Sequence, residues 1–294
     1  MNDQDWLAER FEANRSHLRG VAFRMLGSVT EADDAVQEAW IRLSRTDTRD
    51  VDNLRAWLTT VVGRVCLNML RSRKTRREAS LETHLPDPIV SPGDGITPEQ
   101  EALLGDSIGL AMLVVLDSLT PAERVAFVLH DVFAVPFGAI APIVGRTPTA
   151  ARQLASRARR RVQGAPVPDV DLDGQWVVVE AFLAASRAGD FERLLAVLDP
   201  EVVLRSDGGA ARPELISLLR GAQAVAEGAT TFRRFAETST RVLVNGIPGG
   251  VAWAPDGSPF AVLALTVKGG RIVAIDVLAD PDRLGQLDLT VLAG

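Results

Sequence analysis

Apolar residues recur every three or four positions along the first 165 residues, the repeat of helices with one buried side. Phe11, Leu18, Val21, Ala22 and Met25 form the first stripe, which ends near Gly27. The second runs through Ala32, Ala35, Val36, Ala39, Trp40 and Leu43. Thr30 starts that helix, with Asp33 three residues on as a variant capping box. Glu31, Asp34, Glu38 and Arg42 stay outside, flanked by Asp33 and Gln37, so the helix presents an acidic face. After a polar stretch at 44–52, Asn53 opens a third helix in which Leu54, Trp57, Leu58, Val61, Val62 and Val65 pack. Its remaining positions include Arg64, Asn68, Arg71, Arg73 and Lys74.

Residues 80–97 lose the helical period and gather Pro86, Pro88, Pro92, Gly93 and Gly95, the composition of an extended linker. Thr97 and Pro98 restart a helix whose apolar face is Ile108, Met112, Val115, Leu116 and Leu119. Thr120, Pro121 and Glu123 cap the next one, cored by Val125, Phe127, Val128 and Leu129. Two further helices, 136–144 and 147–162, are parted by Gly145, with Thr147 as cap and Pro148 in the first position. On the last helix Ala151, Leu154, Ala155, Ala158 and Val162 face inward. Thr149, Arg152, Gln153, Ser156 and Arg160 face outward. Residues 164–174 read as a second linker.

Beyond it the texture changes. Residues 177–188 and 191–198 read as helices, 201–205 as a short strand and 212–227 as mainly helical. Alternation then takes over at 241–245, 251–254, 260–267 and 271–278, with a hairpin at Lys268-Gly269-Gly270. Helices followed by a curved antiparallel sheet indicate an α+β domain. The expected organisation is multidomain: a helical domain at 1–80, a linker at 81–100, a helical domain at 101–165, a linker at 166–173 and the α+β domain at 174–294.

Charge sharpens the picture. The net charge of −6 argues against nucleic acid until its distribution is seen. Residues 1–165 balance 21 basic against 21 acidic side chains, and residues 166–294 hold 11 against 17. Six arginines lie between Arg146 and Arg161 with no acid among them. Arg64, Arg71, Arg73, Lys74, Arg76 and Arg77 form a second acid-free block. Local patches, not the sum, govern contact with phosphates. A helix-turn-helix needs the division seen at 136–162, one face packing and the other entering a DNA major groove. A solvated surface helix is the plain alternative. The single cysteine, Cys66, excludes an internal disulfide and a cysteine-based zinc site, and is expected to be a small buried apolar residue. The acidic, mixed N-terminus is not a secretory signal, and no apolar run approaches the roughly 20 residues of a membrane span. A cytoplasmic protein without a membrane partner is expected.

Two stretches carry a family resemblance. TEADDAVQEAWIRL followed by NLRAWLTTVVGRVCLNMLRSRKTRR resembles region 2 of the extracytoplasmic-function (ECF) sigma factors of the sigma-70 family. SLTPAERVAFVLHDVFAVPFGAIAPIVGRTPTAARQLASRARRRV resembles their region 4. The resemblance implies binding to core RNA polymerase through Asp33, Asp34, Gln37, Glu38 and Trp40. It implies minus-ten promoter contact by the loop before Asn53 and the helix after it, with Asn53, Arg64, Asn68, Arg71, Arg73 and Lys74 as candidates. It implies minus-35 contact by Arg146, Thr147, Thr149, Arg152, Gln153, Ser156, Arg157 and Arg160. The last domain resembles a SnoaL-like, or NTF2-like, cone. One group of ECF sigma factors carries such an extension, with a WLPEP-like motif in the linker and DGGGK-like and NPDKL-like motifs in the extension. Leu85-Pro86-Asp87-Pro88, Asp207-Gly208-Gly209 and Asp280-Pro281-Asp282-Arg283-Leu284 are similar here. An interdomain contact between Leu85–Pro88 and Asp207–Gly209 is implied, and with it regulation in cis.

Two other functions compete with this reading. A fused isomerase or cyclase needs a base, for which Asp207, Asp276 and Glu180 are candidates, and an oxyanion donor. Residues 166–294 contain no histidine, tyrosine or cysteine, so no catalytic residue is expected. A helix-turn-helix repressor with a ligand-sensing domain would have no use for the separate helical domain at 1–80. No cofactor and no metal site is expected. The cone leaves room for a small ligand that composition does not identify.

Overall fold

The structure, a computed structural model, describes residues 3–46, 53–76, 85–93, 110–164, 168–169, 171–231 and 238–292. Their contacts divide them into two compact units.

The first unit begins with α1 (Asp3–Leu26), α2 (Val29–Leu43) and α3 (Leu54–Arg76), which pack pairwise. Gly27, at φ 70°, ends α1. Ser28 caps α2: its backbone is extended and its Oγ accepts the Glu31 amide at 3.4 Å. The cap therefore lies two residues before the expected Thr30, which is already helical. Asn53 caps α3, its Oδ1 accepting the Ala56 amide at 3.0 Å. The chain continues through α4 (Leu110–Asp117) and α5 (Pro121–Phe127), which one wide turn extends over Val128–Val132. Next come α6 (Phe137–Val144) and α7 (Pro148–Val162). In α4 the buried residues are Leu113 and Leu116, while Met112 and Val115 are half-buried. Leu116 and Leu119 are buried as expected, while Leu113 takes the place of Met112 and Val115 in the core; Ile108 and residues 94–100 fall outside the described residues. The expected loop at 47–52 does so too.

Residues 3–76 and 115–164 belong to this one unit. α3 lies against α5 and α6 at Gly63, where an added Cβ would stand 3.2 Å from Leu129 Cδ1 and 3.5 Å from Ile143 Cδ1. The buried Arg124 of α5 ion-pairs with Asp117 and donates to the Arg24 carbonyl of α1 at 3.4 Å. Cys66 is buried as expected, and burial pushes its thiol up to about 12.

The second unit is the α+β domain together with part of the expected linker and the first half of α4, Leu110–Val114. In chain order it holds β1 (Val90–Pro92), α8 (Leu172–Ala188), α9 (Phe191–Val197) and β2 (Leu198–Asp207). β3 (Ser217–Arg220), α10 (Ala222–Thr231), β4 (Thr240–Val244) and β5 (Ile247–Trp253) follow. β6 (Pro259–Lys268), β7 (Arg271–Leu278) and the single turn α11 (Pro281–Leu284) complete it. The sheet order is β1-β4-β5-β6-β7-β2-β3. Trp176, Val179 and Phe182 of α8, Leu194 of α9 and Val225 of α10 pack against Leu243, Leu265, Ile272 and Ile275 on one face.

Three features depart from expectation. β2 pairs with β7 in parallel, so the sheet is mixed, not purely antiparallel. Residues 217–220, expected to be helical, form β3 because pairing with β2 outweighs the local propensity of a four-residue segment. Residues 90–92, expected to be free linker, add β1 to the edge of the sheet beside β4.

Gly63 and Gly138 give opposite expectations. Gly63→Leu overpacks the α3 junction and should destabilise the chain by about 1–3 kcal/mol. Nothing lies within 4 Å of a Cβ added at Gly138 in α6, so Gly138→Ala should stabilise by roughly 0.5–1 kcal/mol. Urea titrations of the two variants check both signs.

Candidate functional site

The turn before α7 is built as the sequence implies. Gly145 adopts φ 68°, the left-handed conformation that ends α6, and Thr147 Oγ1 accepts the Ala150 amide at 3.2 Å. Ala151, Leu154, Ala155, Ala158 and Val162 are buried. Arg146, Thr149, Arg152, Gln153, Ser156, Arg157 and Arg160 are exposed. Three of the six arginines nevertheless serve the fold. Arg157 and Arg161 donate to Glu123 at 2.9 and 2.7 Å, and Arg159 pairs with Asp131. These pairs pin α7 to α5 and its wide turn. Arg146, Arg152 and Arg160 have no carboxylate partner among the described residues, and the Arg152 guanidinium lies 5.4 Å from the Phe137 ring centroid.

Glu123 also closes the capping box with Thr120, whose amide and hydroxyl donate to it at 3.2 and 2.8 Å. Burial pushes the Glu123 carboxyl up, but donors on Arg157, Thr120 and Arg161 outweigh burial and bring it down to about 2.

On α2, Asp33, Asp34 and Gln37 are exposed, and Glu38 and Trp40 are half-buried. Asp33 takes a two-pronged pair from Arg19 at 2.5 and 2.9 Å, and Glu38 pairs with Arg42 at 2.8 Å. Trp40 rests on Phe11, with ring centroids 5.1 Å apart. On α3, Arg64, Asn68 and Arg71 are exposed at helical spacing and share one face. Arg73 is turned to the fold, donating to the Leu26 carbonyl at 2.9 Å and pairing with Glu31. Asn53 uses its side chain as the α3 cap. The Lys74 side chain lies outside the described residues. His130 is a packed histidine, 3.0 Å from the Val135 carbonyl and stacked on Phe137.

The segment 85–93 is held by a clasp. Arg283 Nη1 donates to Asp207 Oδ2 at 2.7 Å, Nε to Asp87 Oδ1 at 2.9 Å and Nη2 to the Leu85 carbonyl at 2.5 Å. The Leu85 amide returns a bond to Asp207 Oδ2 at 3.1 Å. Leu85, Pro86 and Pro88 are buried. Farther along, Asn245 accepts the Ile89 amide on its side chain and donates its own amide to the Ile89 carbonyl, both at 2.8 Å. Gly208 and Gly209 admit no side chain: a Cβ would overlap the Arg212 carbonyl at the first and the Asp280 carboxylate at the second. The structure thus brings Leu85, Asp87 and Asp207 together through Arg283, which the implied contact set omitted. The sequence did carry the signal, since Arg283 is the one cation in the Asp280–Leu284 motif.

Known proteins place this geometry. The family model for Sigma-70 region 2 matches residues 10–76, and that for Sigma-70, region 4 matches residues 110–162. The chain is 38% identical to the ECF RNA polymerase sigma factor SigJ of Mycobacterium tuberculosis, over 93% of this chain and 91% of the relative. The chain belongs to the ECF RNA polymerase sigma factors. It is also 37% identical to a probable ECF RNA polymerase sigma factor, SigI, of the same organism, over 98% of each chain. The crystal structure of Mycobacterium tuberculosis SigJ superposes with a TM-score of 0.80 at 36% identity, covering 96% of this chain and 99% of that one.

In this sigma factor α1–α3 fall in region 2 and α4–α7 in region 4, where α6 and α7 form the helix-turn-helix. Among the described residues no helix is long and apolar enough to cross a membrane. The α+β extension holds a partly open cavity of about 260 Å³. None of the three candidate bases lines it. Asp207 belongs to the clasp, Glu180 pairs with Arg241 at 2.6 Å, and the buried Asp276 accepts from Arg205 at 2.7 Å.

The Glu123 anchor sets a pH dependence. A folded carboxyl near 2 against an ordinary value of 4.5 contributes stability that is present above pH 4.5 and lost as pH falls toward 2. Glu123→Gln should cost on the order of 2 kcal/mol at pH 7 and flatten the acid side of the stability profile. Urea midpoints at pH 7 and pH 3 should show the wild-type advantage shrinking at the lower value.

Proposed function

We propose that this ECF sigma factor directs core RNA polymerase to promoters whose minus-35 element is read by Arg152, Gln153 and Ser156, and that its extension controls it through the clasp. The recognition helix carries the first part: one face is buried, three arginines anchor it, and the outward face leaves Arg146, Arg152 and Arg160 with Thr149, Gln153 and Ser156. Arginine reads guanine with a two-pronged bond and glutamine reads adenine, each by its major-groove edge. Arg146, Arg160 and the α7 amino end suit phosphates. Region 2 would meet the minus-ten element with Arg64, Asn68 and Arg71, and the polymerase with Asp34, Gln37 and the half-paired acids around Trp40. Arg73 and Asn53, engaged within the fold, are weaker candidates than their sequence positions imply. The working place is the compartment of the polymerase and DNA, the cytoplasm.

The packing of α3 on α5 and α6 supports control. Promoter elements centred roughly 25 base pairs apart lie about 85 Å apart at 3.4 Å per pair. Two DNA-reading domains in van der Waals contact at Gly63 do not span that distance, so the closed unit has to open. Region 2 and region 4 are joined by the chain that the clasp holds in the extension's sheet. The clasp therefore opposes opening, and a bias of 1–3 kcal/mol changes the competent population several-fold to about a hundredfold. The extension itself has no catalytic role in this reading, which the placement of Asp207, Asp276 and Glu180 away from the cavity supports.

Run-off transcription with core polymerase and a selected promoter tests the reading; no transcript from any promoter would refute it. Arg152→Ala should relax preference at one or two minus-35 positions, by about 1–3 kcal/mol per base pair. A uniform loss over all sequences would make Arg152 a phosphate contact. Arg283→Ala should raise promoter-specific transcription at least several-fold at equal folded concentration, and unchanged output would remove the clasp from the mechanism.

A further inference from the structure

The cavity of the extension has a composition that names its guest. Its walls are mainly apolar, with Phe182, Leu204, Leu219, Phe260, Leu263 and Val277 among them. Two serine hydroxyls, Ser206 on β2 and Ser217 on β3, stand opposite each other in the strand register and both line the space. Neither hydroxyl has a hydrogen-bond partner among the described residues. Glu214 is the charged residue on the wall, and residues 166–294 carry an excess of acid, so an anion is disfavoured. A cation would lose its hydration to apolar walls while Glu214 itself is exposed. A space of about 260 Å³ lined this way favours an organic guest over water.

The same walls touch the clasp. Ser206 faces the cavity and the next residue, Asp207, holds Arg283 and the Leu85 amide. The Asp207 carbonyl accepts the amide of Ala279, a wall residue, at 2.7 Å. A Cβ at Gly208 would stand 2.9 Å from the Cβ of Leu215, another wall residue. Arg212 ties the Phe260 and Ala279 carbonyls together at 2.9 and 3.0 Å and stacks over the Phe260 ring.

We propose that this cavity binds an uncharged, largely apolar small molecule with a hydroxyl or carbonyl at one end, which meets Ser206 and Ser217, and that the bound molecule tightens the linker clasp. The second half rests on the clasp reading above. A guest that fits the walls of the clasped state binds that state in preference and stabilises it by linkage. Occupation then holds the linker in the sheet and keeps the sigma regions closed.

The test uses the full chain without polymerase or DNA, with 1-octanol as probe and octanoate as its charged counterpart. Calorimetric titration should show 1-octanol binding and octanoate binding at least tenfold more weakly. Ala261→Phe, which fills the cavity, should abolish binding at an unchanged melting temperature. Ser206→Ala with Ser217→Ala should weaken 1-octanol several-fold while leaving the chain folded. Hydrogen exchange of the Leu85 and Ile89 amides should slow by up to about tenfold at a tenfold excess of octanol over its dissociation constant. No binding of 1-octanol to the wild type, or equal binding by Ala261→Phe, overturns the site. Binding with unchanged exchange at Leu85 and Ile89 overturns the link to the clasp. Both failures leave promoter-directed transcription standing, since that is read in a separate assay.

Discussion

One guanidinium, that of Arg283, ties three stretches of chain far apart in sequence. It meets two carboxylates, Asp87 and Asp207, and a main-chain carbonyl, Leu85, with 16% of its own surface open to water. Its charge is what allows the two acids to stand so close. Without it, Asp207 would face Asp87 across a largely desolvated gap, a loss of the order of 3–5 kcal/mol for a broken buried pair. The strand β1, the buried Leu85 and the embrace of Ile89 by Asn245 all require the linker to lie where this fork places it. A segment rich in proline, which forms no helix of its own, thereby becomes part of a sheet.

A parallel division governs α7. Its arginine-rich face suggests a uniform positive surface, but the charges divide into two duties. Arg157, Arg159 and Arg161 sit on Glu123 and Asp131 and hold the helix at a fixed attitude. The rest point outward. Charge density alone does not separate the two, because both kinds read as arginine on the exposed side. The separation depends on acids from another helix, and Glu123 was visible in the sequence only as a capping residue.

Local order was the legible part of this chain. The stripe Ala151–Val162, the Thr120–Glu123 box, the Gly145 turn and the Lys268-Gly269-Gly270 hairpin follow from nearest-neighbour chemistry, and the structure has them where the pattern puts them. What escaped depends on distant partners. Ser217–Arg220 is a strand only because β2 offers its edge, and Val90–Pro92 only because β4 offers its own. The parallel pairing of β2 with β7 joins residues about seventy apart, and no periodicity within either strand encodes its direction. The same holds for the site: the short motifs around Leu85, Asp207 and Asp280 were readable singly, while their meeting on one arginine was not. Arg73 shows the reverse error, a basic residue in a basic run that is directed to the Leu26 carbonyl and Glu31.

The clasp also has a place in time. A ribosome delivers the chain from its N-terminus, and region 4 is complete at Val162, whereas the strand β4 that receives the linker begins 78 residues later and Arg283 comes 121 residues later. At about 5–20 residues per second, the interval lasts roughly 6–24 s. During that interval regions 2 and 4 exist and the Arg283 clasp does not. Each newly made molecule therefore passes through a phase without the clasp before Arg283 completes it, and the length of that phase is set by translation.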